Sequence, residues 1–246
     1  MAGEIVKTEG IVLQIRPWSR TSHVVTWLTP EGGPVTTLVK GAVRPKSAFL
    51  GQYDFFYTCE LLYYAHARGD LHALREAVPL CRRDGLRGRW RETSLAGYAA
   101  DLVCDLAPVG TEAKEWYDFL SRFLDDLAAD AAPCVASRYR MLIRLEMAVL
   151  RLAGLAPDFS GMDPQAAWTA FAIDHGRCGE GVRTVRLAPA TVAALRGAPG
   201  PGEEEAVRFL GIFLAYHLER AIDVRRSLVS LLAGEFRLAR RGCFAV

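Results

Sequence analysis

The hydrophobic pattern changes its period near residue 80, and this change constrains the fold more than any other feature of the chain. Before it, short stretches rich in β-branched and aromatic residues alternate with Gly and Pro turns, which is typical of β-strands. From about Glu92 onward, apolar residues recur at helical spacing. The sequence therefore predicts an α+β protein with a β domain over residues 1–80 and a helical domain over residues 81–246.

Five strands are predicted in the first domain, over residues 5–15, 23–29, 35–43, 53–65 and 71–78. Five short strands with glycine kinks within about 75 residues favour a small closed barrel over a sandwich. The predicted fourth strand is dense in aromatic residues, and its alternation places rings on both of its faces. One set can fill the barrel, and the other can pack against the helical domain or stack on bases.

Four helices are predicted in the second domain. They cover about 92–106, 111–127, 136–153 and 203–232, and the last is expected to be one continuous helix. Residues 155–202 are rich in Gly and Pro and show little periodicity. We predict that this insert is irregular.

Positive charge is concentrated in the first third of the chain. Residues 1–91 hold 13 Lys and Arg against 8 Asp and Glu, whereas the remaining 155 residues hold 17 against 20. The chain has no Asn and only three Gln, the residues that usually read adenine, while 26 of its 30 basic residues are Arg. This composition favours an anionic partner bound without sequence preference, although coding bias alone can also produce it.

Signatures of the common enzyme classes are missing from the sequence. It contains no GxxxxGK[ST] phosphate loop, no HExxH and no GxSxG, and its five histidines lie in unrelated segments. The six cysteines include no pair at metal-ligand spacing. We therefore expect no catalytic residues, no metal and no cofactor. The first ten residues lack the apolar core of a signal peptide and no stretch is long enough to span a membrane, so a cytoplasmic protein is expected.

Three groups of basic residues are candidates for binding. Residues 40–47 (KGAVRPKS) place Lys40, Arg44 and Lys46 in a loop after a strand, a composition that suits phosphate binding but also an ordinary solvated turn. Five arginines lie between residues 82 and 91. On the third helix, Arg140, Arg144 and Arg151 share one face around Met147, which is expected to be exposed. That stripe suits an acidic peptide with an apolar end, or is a solvated face.

Six segments in order along the chain resemble the RecO family of DNA repair proteins. They are residues 9–13 (EGIVL), 28–33 (LTPEGG), 40–47 (KGAVRPKS), 69–77 (GDLHALREA), 152–158 (LAGLAPD) and 225–228 (RRSL). The resemblance implies an oligonucleotide-binding (OB) barrel followed by a helical domain. It also implies binding to single- and double-stranded DNA, strand annealing, partnership with RecR, and contact with the acidic tail of single-stranded DNA-binding protein.

One departure from the family concerns zinc. Many RecO proteins carry a four-cysteine zinc module in the region that matches residues 159–181, where this chain has only Cys178. Four thiolate ligands cannot be assembled there, so we predict a finger-like segment without zinc.

The resulting hypothesis assigns two sets of residues. DNA is expected to contact Arg16, Arg20, Lys40, Arg44, Lys46, Arg82 and Arg83, and the acidic tail to contact Arg140, Arg144 and Arg151. The alternative is a protein-binding adaptor whose barrel does not bind DNA.

Overall fold

The computed structural model describes residues 4–66, 69–111, 113–129, 135–218 and 222–233. These residues form two compact units, the first within residues 1–131 and 144–158 and the second within 132–143 and 159–246. The barrel and the helices that follow it thus belong to one unit, and the packing divides the chain at a different place from the predicted boundary near residue 80. No helix among the described residues is long and apolar enough to cross a bilayer.

A closed five-stranded barrel opens the chain, as predicted. Its strands follow the order β1-β2-β3-β5-β4, and they span Glu4–Ser19 (β1), Ser22–Thr29 (β2), Gly33–Val39 (β3), Thr58–Ala65 (β4) and Leu71–Cys81 (β5). The long β1 pairs with β4 through its first half and with β2 through its second half. A short parallel pairing of Thr36–Leu38 with Leu71–Ala73 closes the barrel.

Trp27 occupies the centre of the barrel core. Its indole N–H donates to the Thr37 hydroxyl at 2.8 Å, so the polar edge of this fully buried ring is satisfied. Apolar side chains from all five strands belong to the same core cluster, among them Val12, Val39, Leu61 and Leu74. The interior is therefore filled by side chains, and any ligand of the barrel must bind on its outside or at its loops.

The predicted aromatic strand over residues 53–65 is wrong in its first third. The strand begins only at Thr58, and Phe56 has a φ of 67°, in the left-handed region that a strand does not use. Tyr53 instead packs on Trp27 and shares a 2.9 Å hydrogen bond with His23. The two aromatic faces expected for this strand are therefore replaced by a loop that covers the barrel.

Two helices pack beside the barrel in the first unit. A short 3₁₀ turn at Asp84–Leu86 leads into α1 (Trp90–Leu106), which is followed by α2 (Ala113–Ala129). The Tyr117 hydroxyl on α2 donates to the Glu9 carboxylate on β1 at 3.1 Å. Burial and the neighbouring Glu9 both raise the pKa of Tyr117, so this phenol stays protonated and keeps donating at physiological pH.

Gly33 joins the β2–β3 turn to the segment after α1. Its φ is 74°, and a Cβ at this position would lie 2.2 Å from the Pro108 carbonyl oxygen. The Gly110 N–H also donates to the Gly32 carbonyl at 3.3 Å. No other residue type fits at Gly33, because both the backbone conformation and the contact with Pro108 exclude a side chain.

Gly33→Ala should lower the free energy of unfolding by about 3 kcal/mol, the combined cost of the left-handed conformation and of separating the turn from Pro108. Urea unfolding measures this difference. Gly32→Ala is the matched control, since a Cβ there meets only the side chains of Thr29 and Val35. Equal effects of the two substitutions would contradict the assignment.

The helix α3 (Val135–Leu152) contributes residues to both units. The second unit contains all the described elements that follow it. They are β6 (Thr169–Ala172), β7 (Arg177–Cys178), β8 (Thr184–Leu187), α4 (Pro189–Leu195), α5 (Glu203–His217) and α6 (Ile222–Ala233). The prediction of an irregular insert over 155–202 is wrong, because a three-stranded sheet and a helix form there. The predicted single last helix is also wrong, since α5 ends at His217 and Leu218 is extended.

The small sheet β7-β6-β8, called the finger sheet here, is held together by packing and by one carboxylate. Phe171 on β6 is fully buried against Phe209 and Phe213 of α5, with ring centroids 5.2 and 6.3 Å away. The Asp174 carboxylate accepts the N–H groups of Val182 and Arg183 at 3.1 and 3.3 Å. Asp174 thereby ties the turn after β6 to the turn before β8.

Asp174 should make the finger sheet sensitive to acid. Desolvation alone would raise the pKa of this carboxyl, but backbone N–H donors, including those of Val182 and Arg183, together with His175 outweigh it and hold the pKa below its ordinary value of 3.8. The stabilisation is therefore complete above pH 3.8 and is lost as the pH falls through the lowered pKa.

We expect Asp174→Asn to speed amide hydrogen exchange at Val182 and Arg183 roughly tenfold at neutral pH, while the amides of Val25 and Trp27 in the barrel keep their protection. Unchanged exchange at all four amides would contradict this role.

Candidate nucleic-acid interface

Two loops meet at one end of the barrel, where β1 ends, β2 begins and β3 ends. The Gly41 N–H donates to the Ser22 hydroxyl at 3.2 Å, and the Val43 N–H donates to the Thr21 carbonyl at 3.3 Å. These bonds fasten the loop after β3 to the β1–β2 turn. They bring Arg20 of that turn together with the basic loop predicted from sequence.

Four cations occupy this end of the barrel, and we call them the loop cation cluster: Arg20, Lys40, Arg44 and Lys46. All four are exposed, and none forms an ion pair with any residue that the structure describes. Other surface lysines differ, since Lys7 pairs with Glu60 at 3.0 Å and Lys114 with Asp118 at 2.8 Å. The cluster is thus a concentrated positive charge available to a partner.

The cluster stands on an ordered loop. The Arg44 N–H donates to the Gly41 carbonyl at 3.1 Å, and the Ser47 N–H donates to the Arg44 carbonyl at 2.9 Å, so successive turns shape the backbone. Gly41 has a φ of 70°, and its missing Cβ leaves room for the Arg44 side chain, whose Cδ would lie 3.2 Å away. A loop fixed in this way would lose little entropy on binding a partner.

Trp18, which sequence reasoning did not place, precedes Arg20 of the loop cation cluster by two residues. This tryptophan is 62% exposed near the end of β1, just before the turn that carries Arg20. The preceding residue, Pro17, pairs with His23 of β2. An exposed flat ring beside phosphate-binding cations is the combination that single-strand binders use to stack bases. The available signal was an aromatic residue beside a predicted turn and outside the buried alternation of β1.

Arg16 is exposed but turned toward α1. Its guanidinium donates to the Gln14 side-chain oxygen at 2.5 Å, and the Gln14 amide donates to the Asp101 carboxylate at 3.3 Å. Burial raises the pKa of Asp101, and the positive charge of Arg16 opposes that rise. The charge of Arg16 is therefore partly balanced inside the first unit, which makes it a weaker candidate than the loop cation cluster.

Arg83 is a correction to the predicted DNA contacts. Its side chain is 2% exposed and donates to the Phe56 carbonyl at 2.7 Å, to the Thr58 hydroxyl at 2.9 Å and to the Asp125 carboxylate at 2.8 Å. A guanidinium enclosed by these acceptors has no free donor for phosphate. Arg82, its neighbour, is exposed at the end of β5 and stays a predicted contact.

Two further arginines of this stretch also have structural partners. Arg87 lies against Asp84 at 3.0 Å and Asp54 at 3.4 Å, and it donates to the Tyr57 hydroxyl. Arg89 donates to the carbonyls of Leu127 and Ala128 at the C-terminal end of α2, which suits the negative end of a helix. These arginines connect the barrel, the 3₁₀ turn and α2.

Two known protein families match most of the chain. A family described as recombination protein O N terminal matches residues 1–81, and one described as recombination protein O C terminal matches residues 87–226. The chain belongs to the RecO family.

Curated RecO relatives align along most of the sequence. A protein named DNA repair protein RecO from Anaeromyxobacter dehalogenans (strain 2CP-C) is 32% identical over 91% of this chain and 95% of its own length. Similar proteins with the same name come from Gloeobacter violaceus, 29% identical over 64% of this chain and 59% of its own, and from Bacillus subtilis, 27% identical over 63% and 58%.

The surroundings expected for the acidic-tail site on α3 of this RecO protein differ from those observed. Met147 is 5% exposed, so the expected exposed methionine is wrong. Arg140 pairs with Glu203 at 3.0 Å in the second unit, and Arg144 pairs with Asp126 at 2.7 Å in the first. Arg151 is exposed. An acidic peptide would have to displace these two carboxylates, and the tail site stays a prediction.

The zinc module known from other RecO proteins does not fit this chain. Cys178 is the only cysteine in residues 159–181, and within the described ranges no three His, Cys, Asp or Glu side chains are grouped so that they could hold a metal. Asp174 is occupied by backbone N–H groups. The finger sheet therefore uses Phe171 packing and Asp174 hydrogen bonds where a zinc module would use thiolates.

Proposed function

We propose that this chain is a recombination mediator that binds single- and double-stranded DNA without sequence preference. It anneals complementary strands and, together with RecR, helps to load a recombinase onto strands coated by single-stranded DNA-binding protein. The loop cation cluster is the observation that carries this proposal. Four exposed cations without an ion-pair partner among the described residues, fixed on two loops tied by hydrogen bonds, match the demands of phosphate binding.

The geometry also favours recognition of the backbone over recognition of bases. The cluster consists of Arg and Lys on loops at the barrel end, and Trp18 beside it offers a ring that any base can stack on. Neutralising the charge on two strands at once lowers their repulsion, which is how a non-enzymatic protein accelerates annealing. RecR and the acidic tail of single-stranded DNA-binding protein are proposed partners on the strength of the family relationship.

Fluorescence anisotropy with a labelled unstructured oligonucleotide tests the proposal. We expect binding that weakens steeply between low and high salt, because bound cations release counterions from DNA, and that is the same for oligonucleotides of different base sequence. Absence of binding at low salt would refute it and favour the second candidate, a protein adaptor whose barrel binds no DNA.

A further inference from the structure

The outward face of the finger sheet carries positive charge and an exposed aromatic ring. Phe171 points into the second unit, so its neighbours on β6 and their partners in register lie on the opposite face. Ala170 pairs with Arg186 on β8, and Ala172 pairs with Arg177 on β7. Two exposed arginines therefore project from the same side of this small sheet.

Trp168 extends this face at the start of β6. It is 48% exposed, and the Arg186 guanidinium lies over its ring at 4.3 Å from the centroid. The pair is a preformed stack of a cation and a planar ring, with about half of the tryptophan surface still open. Such a stack fits a partner that offers both a flat apolar group and a negative charge.

The turn before β8 adds a third cation. The hydrogen bonds from Val182 and Arg183 to Asp174 hold this turn, which leaves Val182 98% exposed and Arg183 exposed beside it. Within the described part of the chain, none of Arg177, Arg183 and Arg186 forms an ion pair. The exposed Glu180 is the one carboxylate in the same turn, so the surface keeps a positive balance.

We propose that this outward face of the finger sheet is a second binding surface for single-stranded nucleic acid, separate from the loop cation cluster. Arg177, Arg183 and Arg186 would contact phosphates, and Trp168 would stack on an unpaired base. The positive charge favours an anionic partner, and the open ring beside Arg186 favours one that carries flat rings along its length, as an unpaired nucleic acid strand does. This inference rests on the proposed function and gives it a second strand site, one in each compact unit.

Photo-crosslinking of the unaltered full-length chain is the first test. An oligonucleotide that contains bromodeoxyuridine is irradiated in complex with the protein, and the attached peptides are mapped by mass spectrometry. We expect cross-links in two regions, near Trp18 and near Trp168. Cross-links near Trp18 alone would overturn the second surface and leave the proposed function intact. Cross-links near Trp168 alone would support the second surface and overturn the loop cation cluster as the DNA-binding site.

Annealing of two complementary unstructured oligonucleotides is the second test. Arg177→Gln with Arg186→Gln should slow annealing about tenfold, while the affinity for one short oligonucleotide falls by less than about threefold, since the loop cation cluster still binds it. Lys114→Gln with Arg208→Gln removes the same charge from two cations that are already paired, and should change neither rate nor affinity.

Annealing at the unaltered rate in the finger-sheet variant would overturn the inference. Unaltered annealing combined with weaker binding of an acidic peptide would instead assign the surface to a protein partner. Both substituted arginines are exposed, so the thermal unfolding midpoint should stay the same and report that the fold is kept.

Discussion

Arg83→Met is expected to lower the free energy of unfolding by about 3 kcal/mol. The guanidinium is enclosed, and its loss leaves the Phe56 carbonyl and the Thr58 hydroxyl without the donor that they have at 2.7 and 2.9 Å. Asp125 contributes less, because its side chain is 53% exposed and water can replace the arginine there. Most of the cost is therefore the buried carbonyl left without a hydrogen bond.

Urea unfolding of the full chain measures this effect, and Arg82→Gln is the matched control. Arg82 is the preceding residue and is exposed, so its substitution should change stability by less than about 0.5 kcal/mol. DNA affinity should respond in the opposite order, falling with Arg82→Gln and staying the same with Arg83→Met. Folded Arg83→Met protein, assayed well below its unfolding midpoint, should retain its DNA affinity. A stable Arg83→Met variant with weakened DNA binding would contradict the structural role and restore the original sequence-based prediction.

Simultaneous replacement of Lys40, Arg44 and Lys46 by Gln is expected to weaken binding to single-stranded DNA about 10- to 100-fold at low salt. The slope of log affinity against log salt should fall by about 2, because each lost phosphate contact on a single strand removes about 0.7 from it. Stability should stay the same, since the three side chains are exposed and form no ion pair among the described residues. Anisotropy over a series of salt concentrations gives both quantities.

The control for this triple variant is Lys7→Gln, Arg75→Gln and Lys114→Gln. It removes the same net charge from cations that already pair with Glu60, Glu76 and Asp118. Equal losses in the two triple variants would show that net charge alone governs binding and would contradict a localised site at the barrel end.

The barrel was predictable because its strands are specified by local pattern. Alternation, β-branched residues and Gly or Pro turns placed all five strands near their observed positions. The exception is instructive: residues 53–57 have strand composition, yet Phe56 adopts a φ of 67° and its carbonyl is bound by Arg83, 27 residues further along the chain. A contact at that separation leaves no periodic signal in the sequence.

The same reason explains the errors among the basic residues. The exposure of Lys40, Arg44 and Lys46 was predictable, because a proline-containing loop between strands lies at the surface. Arg83 has the same composition around it, but the acceptors that enclose it come from a loop, a strand and α2. Met147, which was expected to be exposed, is likewise buried. Local sequence reports which residues are charged, and only tertiary structure reports which of them are already paired.

The finger sheet was missed because its strands are two to four residues long. Strands this short show no measurable alternation. The contacts of the sheet involve Phe171 and Asp174, and neither residue forms a motif with its neighbours in sequence.

The contacts between the barrel and the helices beside it have a consequence for how RecO chains can be cut and exchanged. Cleavage of the chain after Cys81, where the N-terminal family match ends, would remove Arg83 from the Phe56 carbonyl, Tyr117 from Glu9 and Pro108 from Gly33. A fragment with residues 1–81 alone would then expose the surfaces that these partners cover. Chimeras that exchange this barrel should therefore keep it with its own first two helices, because the packed unit extends beyond the residues that the N-terminal family match covers.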